Sequence, residues 1–347
     1  MPGVEAPAVT DDQPADTMAG RASSRRFRLL VEADRLLLVG VLFLVTAAAL
    51  VAIGLVVPDA GALFTSDDPI ETVFQAFIGA TITGVTLVVT LNQLVLSQEL
   101  GAVGDQRERM DAAIEFREDV ESVLDEPSSP PEPSAFLRAL VDRTAEHART
   151  LGSRIADDDD FDADCRERVE TLVDAIGANA DQVASELDDA EFGTFGVVSA
   201  ALDFNYSWKL YRARRLVSAD REHFDDEQFA ALSALVDTLE LFGPAREHIK
   251  TLYFQWELIT LSRVILTAAL PSLVVSVSMV LFVDGSDFAG SLAGVPVALL
   301  VVASAVALAL VPFFVLLSYI LRIATVTQRT LSIGPFTLRD TDHVDGE

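Results

Sequence analysis

The sequence has little of the chemistry that most enzymes use. Its 347 residues include one cysteine, Cys165, which excludes a disulfide within the chain. Its four histidines form no His-Glu-x-x-His or Glu-x-x-His motif, so the spacing typical of zinc hydrolases and di-iron proteins is missing. A phosphate-binding glycine loop and a nucleophile elbow are also missing. We therefore expect no catalytic residue, no metal and no cofactor, and we predict that the protein is not an enzyme.

Lysine is almost absent, whereas acidic residues are abundant. Of 25 basic residues only Lys209 and Lys250 are lysine, and 53 acidic residues give a formal net charge of −28. Aspartate outnumbers glutamate by 32 to 21. A surface rich in aspartate stays hydrated in concentrated salt, where repulsion between charges is screened within a few ångströms. The composition thus resembles that of haloarchaeal proteins, with an acidic mesophilic protein as the alternative.

Charge is missing from four long apolar runs. Each is long enough to cross the hydrocarbon core of a bilayer as a helix, which takes about 20 residues. The runs cover residues 36–57, 73–96, 264–283 and 292–321. They predict four transmembrane helices and make the lipid bilayer the first expected partner. Residues 1–30, rich in Pro, Ala, Asp and Thr, are predicted to be a disordered cytosolic N-terminus.

The basic residues near these runs predict their orientation. Arginine and lysine concentrate on the cytoplasmic side of membrane proteins. The two short connections, PDAGALFTSDDPIET and DGSDFAGS, contain none. Basic residues instead flank the other ends of the runs, at Arg21, Arg25, Arg26, Arg28, Arg35, Arg107, Arg109, Arg246, Lys250, Arg263, Arg322 and Arg329. We therefore expect a multi-pass protein of the cell membrane with both termini cytoplasmic, and a cytosolic tail at 322–347.

Residues 98–257 are predicted to form a cytosolic domain. Apolar residues recur there at helical spacing and without the alternation of strands. About five helices are expected. The first continues from the second span to Leu124, and breaks fall at 127–133 and 157–164. The predicted fold is all-α: an integral membrane protein with four transmembrane helices and a cytosolic helical bundle inserted between helices 2 and 3. With 16 basic and 37 acidic residues the domain carries a net charge of −21, which excludes nucleic acid as a partner.

One stretch of this domain is basic and aromatic. It reads FNYSWKLYRARRL and covers residues 204–216. Its four cations, Lys209, Arg212, Arg214 and Arg215, are expected on the surface. They can pair there with Asp and Glu of neighbouring helices, or they can face the inner leaflet of the membrane. We favour pairing because acidic residues surround the stretch in the sequence.

The second span carries a polar stripe. Thr83, Thr86, Thr90, Gln93 and Ser97 recur at spacings of three and four, which places them along one face of a helix. A side-chain amide at membrane depth is costly unless it meets a partner or water, so this face is expected to turn away from lipid. It either packs against another helix or, in an assembly of several copies, lines an aqueous pore.

Two spans, a long cytosolic helical region and two more spans form a plan that resembles bestrophin-type anion channels. In that family the second span lines a pentameric pore. The plan also resembles uncharacterised four-span membrane proteins of haloarchaea. The resemblance implies a homo-oligomer with a channel-like role, whose pore is lined by the polar face of the second span. The alternative is a membrane-anchored scaffold or sensor, whose cytosolic domain binds a partner protein.

Overall fold

The computed structural model describes residues 35–57, 69–190, 193–284, 288 and 290–329. The predicted disordered N-terminus at 1–30 and residues 330–347 of the predicted tail lie outside the described residues. The described chain forms two compact units. We call residues 35–107 and 254–328 the apolar unit, and residues 108–253 the acidic unit.

The described chain is mostly helical, in agreement with the predicted all-α class. The elements are α1 (Arg35–Val56), α2 (Pro69–Glu99), α3 (Val103–Leu124), α4 (Pro133–Ala156), α5 (Ala163–Asp188), α6 (Phe195–Asp203), α7 (Tyr206–Ala219), a 3-10 turn (Arg221–His223), α8 (Asp226–Phe282), β1 (Ser291–Leu292), β2 (Val295–Pro296), α9 (Val297–Ala309) and α10 (Val311–Arg329). The predicted first helix of the cytosolic domain is separate from the second span, because α2 ends at Glu99 and α3 begins at Val103. Gly101, a poor helix former, lies in the break.

Three helices of the described chain are long and apolar enough to cross a membrane, namely α1, α2 and α8. The pair α9 and α10 meets the same criterion jointly, although the two helices are bent by 44°. The structure thus has three candidate spans, or four if the bent pair is one span. This composition indicates a membrane protein.

The fourth predicted span differs from the structure at its start and in its middle. Leu292 and Val295 pair in an antiparallel hairpin, and the helix begins only at Val297. Ala293 and Gly294, with φ of 52° and 83°, form the two-residue turn, and such turns need positive φ at both positions. Pro312 lacks the N–H that would continue the helical hydrogen bonds across Leu310, which explains the break between α9 and α10.

The acidic unit is built around its own hydrophobic core. The apolar positions of α4 and α5 that recur at helical spacing are the ones that the structure buries, and they include Leu137, Leu140, Leu151, Leu172, Ile176 and Val183. Asp162 begins α5, because its carboxylate accepts a hydrogen bond from the Cys165 N–H at 2.8 Å. The first part of α8 contributes Leu232, Leu235 and Leu239 to the same core.

Lys209 lies inside this core, which corrects its expected position on the surface. It is fully buried. Its Nζ donates to Asn179 Oδ1 at 2.8 Å and lies 4.9 Å from the centre of the Phe204 ring. The Asn179 amide in turn donates to the carbonyl of Asp203 at 3.0 Å. The physical reason is that an amide oxygen and an aromatic face together replace part of the water that a buried ammonium loses.

Candidate functional site

The polar stripe forms the outward face of α2 on the single chain. Its members, Thr83, Thr86, Thr90, Gln93 and Ser97, are all exposed. The opposite face of α2 packs within the apolar unit through Phe74, Thr81 and Val88, which are 0%, 8% and 2% exposed. The apolar unit of one chain therefore does not cover the stripe.

The hydroxyl groups of the stripe are already hydrogen-bonded to α2 itself. Each donates to a backbone carbonyl three or four residues earlier: Thr83 to Gly79 at 2.9 Å, Thr86 to Ile82 at 2.8 Å, Thr90 to Thr86 at 2.8 Å and Ser97 to Leu94 at 2.7 Å. Such bonds leave no donor unsatisfied in an apolar surrounding. The hydroxyls therefore do not by themselves require water or a neighbouring helix, and only their acceptor lone pairs remain to line a polar path.

Gln93 is different. Its exposed side chain makes no hydrogen bond to any residue that the structure describes. A primary amide carries two N–H donors and one carbonyl acceptor. It lies in the last turn of the predicted span, three residues before the end of that span at residue 96. Leaving these groups unpaired away from water costs about 1–3 kcal/mol, so they need water, lipid head groups or a neighbouring chain as partners. Gln93 is thus the member of the stripe that needs something outside its own chain.

An ion pair missed by the sequence reasoning links three helices of the apolar unit. The guanidinium of Arg35, at the start of α1, contacts the carboxylate of Glu257 in α8. The Glu257 side chain is only 2% exposed. The Arg35 Cζ atom also lies 4.4 Å from the centre of the Tyr319 ring in α10. These contacts bring the start of α1, residue 257 of α8 and the middle of α10 together. An acidic residue shortly before a span is the only sequence signal for them.

A small apolar cavity lies beside the bend between α9 and α10. Its volume is about 160 Å³, and it is lined by residues of α2, α8, α9 and α10, among them Gly84, Ile265, Ala309, Pro312 and Phe313. None of the lining residues is titratable. Within the described residues, no group of three His, Cys, Asp or Glu side chains is placed to hold a metal ion. Thr81, which is 8% exposed, contributes the one side-chain hydroxyl of this lining.

Comparison with known families matches residues 4–346 to a family of unknown function, DUF7972. The chain belongs to that family, which agrees with the predicted likeness to an uncharacterised family. No curated protein and no solved structure matches the chain significantly. The haloarchaeal resemblance and the likeness to bestrophin-type channels are not confirmed by these comparisons and stay predictions.

Proposed function

We propose that this protein is a homo-oligomeric, multi-pass protein of the cell membrane with a channel-like role. In the assembly the polar faces of α2 from neighbouring copies meet around a common axis and line a pore. The observation that carries this proposal is the position of Gln93, which is outward on α2 and without a hydrogen bond to the described residues. A second copy of α2, or water enclosed between copies, supplies the missing partners.

The remaining residues of the face suit such an assembly. A methyl group added at Gly79 would meet no atom within 4 Å, so the outward surface has room there for a neighbouring helix. Small and hydroxyl residues at membrane helix contacts allow close approach of backbones. Because the threonine hydrogens are already used, the face presents acceptor oxygens and the Gln93 amide. Such a surface can line an aqueous path without unsatisfied donors.

The proposed topology has four spans, with both termini and the acidic unit in the cytoplasm. The absence of basic residues from the two short connections supports it. The grouping of Arg35, Glu257 and Tyr319 supports it as well, since it brings together the predicted cytoplasmic ends of the first, third and fourth spans.

A membrane-anchored scaffold or sensor is the second candidate. One observation favours it: the acidic unit has a complete core of its own, so it can present a surface to a partner protein independently of any pore. In that case substitutions on the acidic unit abolish capture of the partner, whereas assembly in the membrane is unchanged.

The mass of the full chain in detergent tests the proposal. It is measured by light scattering in concentrated KCl, with the detergent contribution subtracted. We expect a closed assembly of several copies. Gln93→Leu lowers this mass if Gln93 bonds across a packed contact. If α2 lines a pore, Thr90→Val changes ion flux through liposomes and leaves the mass unchanged.

Two outcomes would contradict the proposal. A monomeric mass for the unmodified chain removes the shared α2 contact and redirects attention to the acidic unit. The other outcome is that neither Gln93→Leu nor Thr90→Val changes the mass of the assembly or its ion flux. The contact between copies then lies elsewhere. Leu91→Ala, a change at an exposed apolar position on a different face of α2 from the stripe, serves as the matched control.

A further inference from the structure

The apolar cavity beside the bend between α9 and α10 plays no part in the proposed pore. It lies on the side of α2 opposite to the polar stripe, because Thr81 in the cavity and Thr90 in the stripe are about two and a half helical turns apart. We propose that this cavity binds a segment of the hydrocarbon chain of a membrane lipid. The inference does not depend on the pore, since a contact between stripes leaves the opposite face of α2 uncovered.

The cavity lies at the depth of the predicted hydrocarbon core. All eleven lining residues fall inside the apolar runs at 73–96, 264–283 and 292–321, and these runs contain no charged residue. Two of the lining side chains, Ala80 and Phe313, are exposed, the second to 56%. The cavity therefore opens at the surface of the apolar unit, and in a membrane that surface meets lipid hydrocarbon.

Water is a poor occupant of this cavity, because a buried water needs about two to four polar partners. Ten of the eleven lining residues have no polar side-chain atom, and only Thr81 carries a hydroxyl. The backbone at the bend is also satisfied. The carbonyl of Ala309 accepts from the Ser272 hydroxyl at 2.9 Å. The carbonyl of Leu310 accepts from the Phe314 N–H at 3.0 Å. These groups leave little to hold a water molecule, whereas a hydrocarbon chain requires no polar partner.

The volume suits part of a chain and not a whole lipid. It is about 160 Å³. An apolar cavity of about 150 Å³ stays dry and takes up benzene, a molecule of six carbons. The cavity therefore holds a chain segment of about six carbons. The rest of the chain continues past Phe313 into the bilayer, so the lipid stays in the membrane. Filling the cavity restores the dispersion contacts that its lining lacks when it is empty.

Gly84 offers a way to close the cavity from α2. A methyl group added there would meet no atom within 4 Å, because the space beside Gly84 is the cavity. Leucine at this position occupies that space. Gly40 in α1 is the matched position, since it is exposed, a methyl group added there also meets no atom within 4 Å, and it does not line the cavity. Both changes to leucine bring the same gain in helix propensity.

Photolabelling of the full chain tests the proposal. The protein is purified in digitonin, whose rigid steroid body supplies no alkyl chain. The probe is palmitic acid with a diazirine near the middle of its chain, and labelled residues are located by mass spectrometry. We expect labelling of Thr81 and Phe313 to saturate with the probe and to fall when unlabelled phosphatidylcholine is added. Labelling of the exposed Leu44 in α1 rises in proportion to the probe.

The variants separate the cavity from the general apolar surface. Gly84→Leu loses the saturable labelling, and Gly40→Leu keeps it. Gly84→Ala adds one methyl group and gives a partial loss, which keeps the test valid if the leucine variant does not fold. Thermal unfolding provides a second measurement, because a ligand of the folded state raises the unfolding midpoint. Palmitic acid raises the midpoint of the unmodified chain and of Gly40→Leu, and it does not raise that of Gly84→Leu.

Three results would overturn the proposal. One is labelling of Thr81 and Phe313 that rises in proportion to the probe and is equal in Gly84→Leu and Gly40→Leu, which indicates ordinary contact with the micelle. Another is saturable labelling that phosphatidylcholine does not reduce, which assigns the cavity to a free fatty acid. The third is the absence of labelling at both residues. If Gly84→Leu then also lowers the mass of the assembly, a side chain of a second copy fills the cavity.

Discussion

Arg35 and Glu257 form an ion pair although 222 residues separate them in the sequence. The carboxylate of Glu257 is almost completely removed from solvent, whereas Arg35 keeps about a fifth of its side chain exposed. The ring of Tyr319 covers the guanidinium on one face. A charge in such a place is tolerated because its counter-charge is fixed, and the pair depends on both members.

Glu257→Gln is expected to destabilise the apolar unit. The change leaves the guanidinium of Arg35 beside a neutral amide, and breaking a buried pair in this way costs on the order of 3 kcal/mol. Thermal unfolding in detergent measures this loss of stability. The transition is monitored by the fluorescence of Trp256 in a Trp208→Phe background. Glu71→Gln, which removes an exposed carboxylate of α2 that accepts from Gln75 at 2.7 Å, is the control and should leave the transition nearly unchanged. Equal transitions in both variants would show that the ion pair contributes nothing.

The regular parts of the fold could be predicted because their signals are local. The charge-free run at 36–57 corresponds to α1, and the run at 73–96 lies within α2. Apolar spacing in α4 and α5 gives the buried positions because a helix with one apolar stripe has a single way to face a core. The helical period alone also places Thr83 to Ser97 on one face.

The contacts between distant segments could not be predicted in the same way. The sequence shows that Lys209 is one of two lysines, but its burial depends on Asn179, 30 residues earlier. Arg35 has no local pattern that selects Glu257. The Thr90 hydroxyl is a different case. Helix geometry places the carbonyl of Thr86 within its reach, but whether the hydroxyl donates to that carbonyl or turns outward depends on what surrounds it.

Ser272→Ala is expected to weaken the contact between α8 and α9. The Ser272 hydroxyl donates to the carbonyl of Ala309, the last residue of α9, at 2.9 Å, and Ser272 is fully buried. Carbonyls at a helix end lack helical donors, so the change leaves an unpaired acceptor and costs about 1 kcal/mol. The same unfolding measurement applies. Ser278→Ala is the control, because the Ser278 hydroxyl donates to the carbonyl of Val274, four residues earlier in the same helix. A larger loss in Ser278→Ala than in Ser272→Ala would contradict the assigned role.

Asn179→Leu is expected to destabilise the acidic unit by about 2 kcal/mol, the usual value of a hydrogen bond to a charged group. It removes one acceptor of Lys209 Nζ and the donor to the Asp203 carbonyl, and it keeps the number of side-chain heavy atoms. Fluorescence of the buried Trp208 follows the unfolding. Gln182→Leu, on the exposed side of α5 with a bond to Glu186 at 2.9 Å, should change little. An unchanged transition in Asn179→Leu would show that Lys209 is satisfied without the amide.

The thiol of Cys165 makes the stability of the acidic unit depend on alkaline pH. Burial, reinforced by the negative charge of Asp220, raises its pKa from 9.0 to about 11. Because the folded state holds the proton more tightly, the unfolded state alone loses it between these values, and stability falls as the pH rises from about 9 to about 11. Below pH 9 the thiol has no effect.

The Cys165→Ala variant lacks this loss of stability. The difference in unfolding midpoint between the two proteins should therefore shift in favour of the variant as the pH rises from about 9 to about 11. Groups common to both proteins cancel in the comparison. A difference that stays constant from pH 8 to 11 would mean that the thiol ionises in the folded chain as readily as in the unfolded one.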